Sequence, residues 1–476
     1  MTFFNTEITW FLDVYILLIL GYAILIMSSY LILAYLSTKE LRKYLKRNSF
    51  VDYDVLLTSE FAPKLSLIAP AYNEGLTIEE NVKSLLSLNY NNYQVIVVND
   101  GSKDNSMEIL TKTYDLVLTD LEFHPKIETK KIRGIYTSRN AAFKKLIVVD
   151  KENGGKADAL NVGLNIAQNP YVVCIDVDCI LDKDSLLKLA KPFLESYGKR
   201  IIATGGVVRI ANQCVIKNGR LVEVNVPDVM LSRIQVLEYL RAFLLGRMAW
   251  GKLDGLLLIS GAFGAFDKEI AILSGGYSTK TVGEDMELIV RMRRYMLDNK
   301  LSYSVSYIPD PLCWTEAPED FKIFKKQRSR WMRGTIETLS IHRRMFLNPK
   351  YKLLGMLSVP YWTLFEFLAP AIEFIGLVIT AVFILFGLLN WHFFFLLLLF
   401  VYTFAVLFSV IALYSEEKTY HKYPKQADFF KLLMAAFIEP FYFHPLTVYA
   451  ALIGYKEKMM GTKGWGEMTR KGFTKK

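Results

Sequence analysis

Cysteine is scarce. Four residues, Cys174, Cys179, Cys214 and Cys313, serve a chain of 476, and their spacing fits neither a zinc site nor a disulfide framework. A small disulfide-stapled secreted domain is therefore excluded, and the thiols are expected to be buried in a reducing cytoplasm. No internal repeat is present, and no low-complexity tract. The residues ahead of the first apolar run carry no basic stretch, and no small-x-small site follows it. Cleavage as a secretory signal is therefore not expected, and that run should stay as an anchor.

What the chain does have is apolar residues, at 52%, with a mean hydropathy of +0.23. They concentrate at residues 14–36, again over 353–413, and more weakly at 429–453, while the middle reads as an ordinary globular domain. This is the pattern of a membrane protein with one large water-soluble domain. The net charge is +10, but the cations sit beside apolar segments: Lys39, Arg42, Lys43, Lys46 and Arg47 after the first, and residues 456–476 at the end. Anionic lipid headgroups and positive-inside topology account for this better than nucleic acid, and they put residue 39 onward in the cytoplasm.

From Lys64 strands alternate with helices. Strands are expected at 65–70, 94–99, 145–150 and 171–176, with a capping box from Thr77 to Glu80 and a helix over 157–168. Such alternation predicts an α/β domain with a mainly parallel sheet and helices on both faces, with ligands at the carboxyl ends of the strands. Residues 114–144 form a basic insertion with no legible role. Residues 222–248 read as largely helical. The basic aromatic stretch 321–345 is expected to lie as an amphipathic helix on the membrane surface. Residues 351–367 read as interfacial, broken at Pro360, and 367–389 and 391–413 as two spans. Pro440, His444 and Pro445 interrupt 429–453, so a re-entrant segment or short hairpin is expected there; a single crossing would put the basic end outside. The predicted divisions are 1–48 (anchor and basic flank), 49–320 (soluble domain), 321–366 (interfacial helices), 367–455 (transmembrane or re-entrant region) and 456–476 (basic cytoplasmic tail).

Several polar clusters fall at strand ends. Asp176 and Asp178 are hard oxygen ligands at a spacing that suits Mg2+ or Mn2+ completed by substrate phosphates, or else they are loop aspartates. Asp100 could accept hydrogen bonds from a base or ribose, or simply turn the chain. Gly154, Gly155 and Lys156 offer amides and a cation to a diphosphate, or a glycine turn before a helix. Glu284 and Asp285 open a helix, either as caps or with a general base among them. Arg328 and Arg330 suit a departing diphosphate and Trp331 the face of a sugar, unless all three are interface anchors.

Taken in order, Pro70 to Glu74, Val98 to Asp100, Gly155 to Asn161, Asp176 and Asp178, Gly283 to Asp285, and Gln327, Arg328 and Trp331 resemble the motifs of family 2 glycosyltransferases. More narrowly, they resemble the membrane-embedded processive synthases of cellulose, hyaluronan, chitin and poly-N-acetylglucosamine. The resemblance implies a GT-A fold on the cytoplasmic face of a bacterial inner membrane. It implies a UDP-sugar donor held by Ala71, Tyr72, Glu74, Asp100, Lys156, Asp158, Asp176, Arg328 and Arg330, and Mg2+ or Mn2+ on Asp176 and Asp178. It implies Asp285 as base beside Glu284, and an acceptor site of Ser260, Gly261, Ala262, Gln327 and Trp331. Family members invert the anomeric centre. The expected activity is elongation and extrusion of a β-linked polysaccharide, with UDP-GlcNAc favoured over UDP-glucose, membrane lipids around the chain and room for an accessory membrane subunit. Addition of a single sugar to a membrane lipid is the alternative. A non-catalytic transporter or scaffold is opposed by the intact Asp176, Asp178 and Asp285. Gly283 departs from the threonine that cellulose and poly-N-acetylglucosamine synthases carry, and matches hyaluronan synthases; on the resemblance, this bears on the sugar.

Overall fold

The structure, a computed structural model, describes residues 2–195, 198–217 and 219–462. Its soluble part is built on β1 (Leu65–Ala71), β2 (Tyr93–Asn99), β3 (Leu116–Leu118), β4 (Ile132–Ser138), β5 (Leu146–Lys151), β6 (Tyr171–Ile175), β7 (Ile180–Leu181) and β8 (Arg200–Ile210). It continues through β9 (Val215–Lys217), β10 (Arg220–Glu223), β11 (Phe263–Asp267) and β12 (Tyr303–Thr315). Ten of these form one sheet, in the order β3-β4-β5-β2-β1-β6-β11-β8-β12-β7, while β9 and β10 make a separate hairpin.

The central strands read as near-continuous apolar runs because they are covered on both faces. Ile68 of β1 pairs with Ile96 of β2 and Cys174 of β6, all nearly or fully buried. The expectation of a mainly parallel sheet needs correction. β5, β2, β1 and β6 run parallel, but β11 is antiparallel to both β6 and β8, and β3, β4 and β7 join antiparallel. The sheet is mixed because β11 runs back along β6, with Phe263 opposite Ile175. That reversal brings the residues just before β11, Ser260 to Ala262, to the carboxyl ends of the parallel strands. All four cysteines are free and buried, as expected of the thiols.

Two helices, Val14–Asn48 (within Thr2–Asn48) and Trp391–Thr419, are long and apolar enough to cross a membrane. At the span expected over 367–389, Leu354–Phe367 and Ala369–Leu385 form a pair bent by 40°, which makes a third candidate span where the two are taken as one. At 17 residues, the second helix is about 26 Å long, short of a hydrocarbon core of about 30 Å. The hairpin expected at 429–453 is not formed. Gln426–Met459 is one continuous helix of 34 residues that passes through Pro440 and Pro445. Each proline removes one backbone bond, and packing against Phe321–Ile341, Met230–Tyr239 and Trp391–Thr419 carries the helix through.

Three local expectations also change. The helix expected from residue 222 begins at Met230, after the strand β10 and Pro227. Thr77 makes no capping bond; its hydroxyl donates to Glu74 Oε2 at 3.1 Å instead. The basic helix Phe321–Ile341 does not lie free on a surface. It buries Arg328, Ser329, Arg333 and Gly334, and packs so closely on Gln426–Met459 that a Cβ on Gly454 would stand 2.7 Å from the Ser329 carbonyl. Residues 463–476, most of the expected basic tail, lie outside the described residues.

The soluble domain is tied to the membrane helices by an ion pair between Arg209 on β8 and Glu416 on Trp391–Thr419, both almost fully buried. Removing one partner of such a pair leaves a buried uncompensated charge, which costs about 3–5 kcal/mol. Glu416→Ala should therefore lower the melting temperature of the purified protein sharply, while substitution of the exposed ion-pairing Lys431 should leave it unchanged.

Candidate active site

The carboxyl ends of β1, β2, β5 and β6 and the amino end of β11 converge on a cavity of about 3600 Å³ that continues between the membrane helices. Every site residue expected from the sequence lines it except Asp158.

At the β1 end the Tyr72 ring is 43% exposed at the cavity wall, available to a flat ligand. The neighbouring turn is fixed by cross-bonds: Asn73 N–H donates to Ser102 Oγ at 2.9 Å, and Glu74 N–H to Ser106 Oγ at 3.0 Å. Asp100, at the β2 end, is buried and surrounded by protein donors. Its carboxylate receives Lys151 Nζ at 2.5 Å, Gly154 N–H at 3.0 Å, Gly155 N–H at 2.7 Å and Asn153 Nδ2 at 3.3 Å. The same fully buried Lys151 reaches Asp158 Oδ2 at 2.6 Å. The glycine amides read as a diphosphate cradle are thus already bound to Asp100. Asp100, Lys151 and Asp158 make a buried ionic knot that shapes the loop before the helix Lys156–Ile166. Lys151 was missed from the sequence because it ends an apolar strand and looks like an ordinary flanking cation.

Asp176 and Asp178 lie in the turn after β6, where Cys179 N–H donates to the Asp176 carbonyl at 3.0 Å. Strand alternation therefore does not aim them; the turn does. Lys156 Nζ contacts Asp176 Oδ1 at 2.5 Å and Glu284 Oε1 at 3.6 Å, joining the turn after β6 to the start of the helix Glu284–Asp298. Burial works against its charge, but Asp176 and Glu284 outweigh that and hold the ammonium above its usual range.

Asp285, in the first turn of Glu284–Asp298, is held by backbone. Its Oδ2 accepts from Gly261 N–H at 2.8 Å and its Oδ1 from Met286 N–H at 2.8 Å. A Cβ on Gly261 would meet Asp285 Oδ2 at 3.0 Å, so the glycine permits this approach. Glu284 is buried. Burial pushes its carboxyl up to about 7, Lys156 opposes this and Asp285 adds to it. The folded protein thus binds that proton more tightly than the unfolded chain, and stability falls as pH rises from about 4.5 through about 7. Glu284→Gln should lack this decline: thermal melts at pH 5 and pH 8 should separate for the parent and converge for the variant.

Arg328 has different partners from those expected. Its guanidinium donates to Glu238 at 2.8 and 2.6 Å and lies 4.1 Å over the Trp331 ring. Its charge is matched by Glu238, so it supports Trp331 instead of presenting itself to a diphosphate; Glu238 was not singled out in the sequence, where it is one polar residue among many on an amphipathic stretch. Arg330 keeps its place on the cavity wall near Glu284, Asp176 and Asp285. Trp331 is 41% exposed there, and Gln327 Oε1 is buried without a hydrogen-bond partner among the described residues.

The description "Glycosyl transferase family 2" matches residues 66–147, and "Glycosyl transferase family group 2" matches residues 171–406. The chain belongs to glycosyl transferase family 2. The poly-beta-1,6-N-acetyl-D-glucosamine synthase of Staphylococcus aureus (strain COL) is 28% identical over 307 residues, covering 63% of this chain and 60% of that protein. The synthase of the same name from Staphylococcus epidermidis is 29% identical over 278 residues, covering 58% and 55%. The chain thus spans about three fifths of the length of these curated relatives. A solved structure of the mannosyltransferase PcManGT from Pyrobaculum calidifontis, in complex with GDP-Man and Mn2+, superposes with a TM-score of 0.51 at 16% identity. The match covers 93% of this chain and 99% of that one, and bears out the GT-A-type fold.

Proposed function

We propose that this family 2 enzyme transfers a sugar from a UDP donor, UDP-GlcNAc before UDP-glucose, with inversion, to a growing β-linked polysaccharide at the cytoplasmic face of a bacterial inner membrane. The observation that carries this reading is the continuity of one cavity from Asp176 and Asp178, past Asp285 and Trp331, to the apolar helices. The names of the staphylococcal relatives favour N-acetylglucosamine.

In this mechanism Tyr72 faces the nucleoside, and Lys156 and Arg330 face the diphosphate. Asp285 takes the proton of the acceptor hydroxyl, the acceptor oxygen bonds to the anomeric carbon from the face opposite UDP, and UDP leaves with the electron pair of the broken bond. Gly261 and Met286 keep the Asp285 carboxylate aimed, and Trp331 supports the acceptor ring. Asp176 and Asp178 fit Mg2+ or Mn2+ as part of a shell only. No cluster of three or more acidic, histidine or cysteine ligands occurs among the described residues, so phosphate oxygens and water would complete it. The attraction of Lys156 Nζ to Asp176 supports a place where positive charge is favoured. Such an ion would neutralise charge on the diphosphate.

The apolar walls of the membrane leg favour a second reading, addition of one sugar to a lipid. The test is a panel of radiolabelled UDP-sugars on the purified full chain with Mg2+ or Mn2+. High-molecular-weight product supports elongation, monoglycosylated lipid alone supports the second reading, and no transfer from any donor rejects both.

A further inference from the structure

Three guanidinium groups where the sheet domain meets the long helices are paired with carboxylates. Arg209 pairs with Glu416, Arg241 with Glu439, and Arg328 with Glu238. Arg247 has no such partner: its Nη1 is buried without a hydrogen bond among the described residues, and its guanidinium lies 3.8 Å from the centre of the Phe243 ring. Asp285 and Glu366 line the same cavity, but neither forms an ion pair with it. Burial pulls its pKa below the usual arginine range, opposed only in part by Tyr307 and Asp285. Half-buried on the cavity wall, it is a guanidinium whose charge Asp285 and Tyr307 offset without an ion pair among the described residues, which leaves its paired donors open to an anionic ligand.

Arg247 ends the π-helical turn Leu240–Arg247, which packs against the helices Thr2–Asn48 and Trp391–Thr419. It shares the cavity with Asp285, on the element that packs against those helices. The donor end already has Lys156 and Arg330. The part of the same cavity between the helices is walled by Tyr361, Phe365, Leu377 and Phe408, with the pairs Arg241–Glu439 and His444–Glu373 and the lone Glu366 set among them. A guanidinium suits a phosphate through paired donors, and the apolar wall suits a hydrocarbon chain.

Resting on the transferase reading above, we propose that Arg247 binds the phosphate of a lipid-linked acceptor whose tail lies in the membrane leg and whose sugar stands at Asp285. The enzyme would then start or extend a glycan carried on a lipid phosphate.

The test compares two acceptors on the purified full chain: N-acetylglucosamine joined to a long-chain lipid through phosphate, and the same sugar on the same chain without phosphate. The parent should prefer the first by about tenfold or more in kcat/KM, the scale of a charge-assisted pair. Arg247→Gln should abolish the preference, Arg247→Lys should restore part of it, and UDP binding and donor hydrolysis should be unchanged in both. Equal use of the two acceptors by the parent overturns the proposal, as does a preference that survives Arg247→Gln. A rise in the KM for the UDP-sugar as the sole effect overturns it too, by assigning Arg247 to the donor diphosphate. A variant that does not fold leaves the parent's own preference decisive. Absence of any transfer or hydrolysis by the parent instead rejects the transferase reading.

Discussion

Asp285→Asn should lower sugar transfer by about 10³-fold, within the range for loss of a general base, and leave UDP binding close to that of the parent. Gly261 N–H and Met286 N–H anchor separate carboxylate oxygens at 2.8 Å each; the single amide oxygen can keep one of these bonds, which holds the side chain at the helix start. What is lost is the capacity to take a proton. Glu284 is a poor substitute: it is buried, held near neutral pKa and turned to Lys156 at 3.6 Å. The measurement is single-turnover transfer beside calorimetric titration with UDP. Parent-like turnover in Asp285→Asn would remove Asp285 from the base role. Loss of UDP binding in parallel would mean that the substitution disturbs the donor pocket, and would say nothing about proton transfer.

How much of this was legible beforehand follows the range of each interaction. The strand ends were readable because β1, β2, β5 and β6 are uninterrupted apolar runs closed by polar residues. The clustering of those ends in space follows from parallel pairing alone. The sheet's mixed character was not readable, because β11 has the composition of any buried strand and only its pairing with β6 reveals the reversal. Prolines misled at Pro440 and Pro445, where local propensity argues for a break and long-range packing overrides it. The expected residues gather at one cavity, but several of their partners differ from those expected. Asp100 takes the glycine amides and Lys151, and Arg328 takes Glu238, a residue 90 positions away. Whether an acidic or basic group faces a ligand or its own protein is decided by such distant partners, which spacing along the chain does not encode.

Gly283 is the position where that difference has the largest expected consequence. Compared with related synthases it invites a reading in terms of sugar choice. In the structure it has an ordinary φ of −115°, so no backbone conformation demands glycine. What demands it is proximity: a Cβ at Gly283 would stand 2.7 Å from the Gly334 Cα, and a Cβ at Gly334 would stand 2.8 Å from the Gly283 Cα. These are backbone atoms of two elements, one opening the helix with Glu284 and Asp285, the other lying one turn past Trp331. Neither can yield as a flexible side chain would. Next to this contact Val282 N–H donates to Glu337 at 2.9 Å, and Glu337 pairs with Lys458 at 2.8 Å, so three helices meet there. Gly283→Thr should force Asp285 away from Trp331. A displacement of about 1 Å can cost about 100-fold in rate, and the melting temperature should fall with it. Gly334→Ala, at a residue with no side chain to offer a substrate, should produce the same pair of effects. A rate that holds in Gly283→Thr while the accepted UDP-sugar changes would return this position to sugar selection. Parallel losses in both glycine variants, with the order of donor preference unchanged, would make the close backbone contact the reason that glycine stands here.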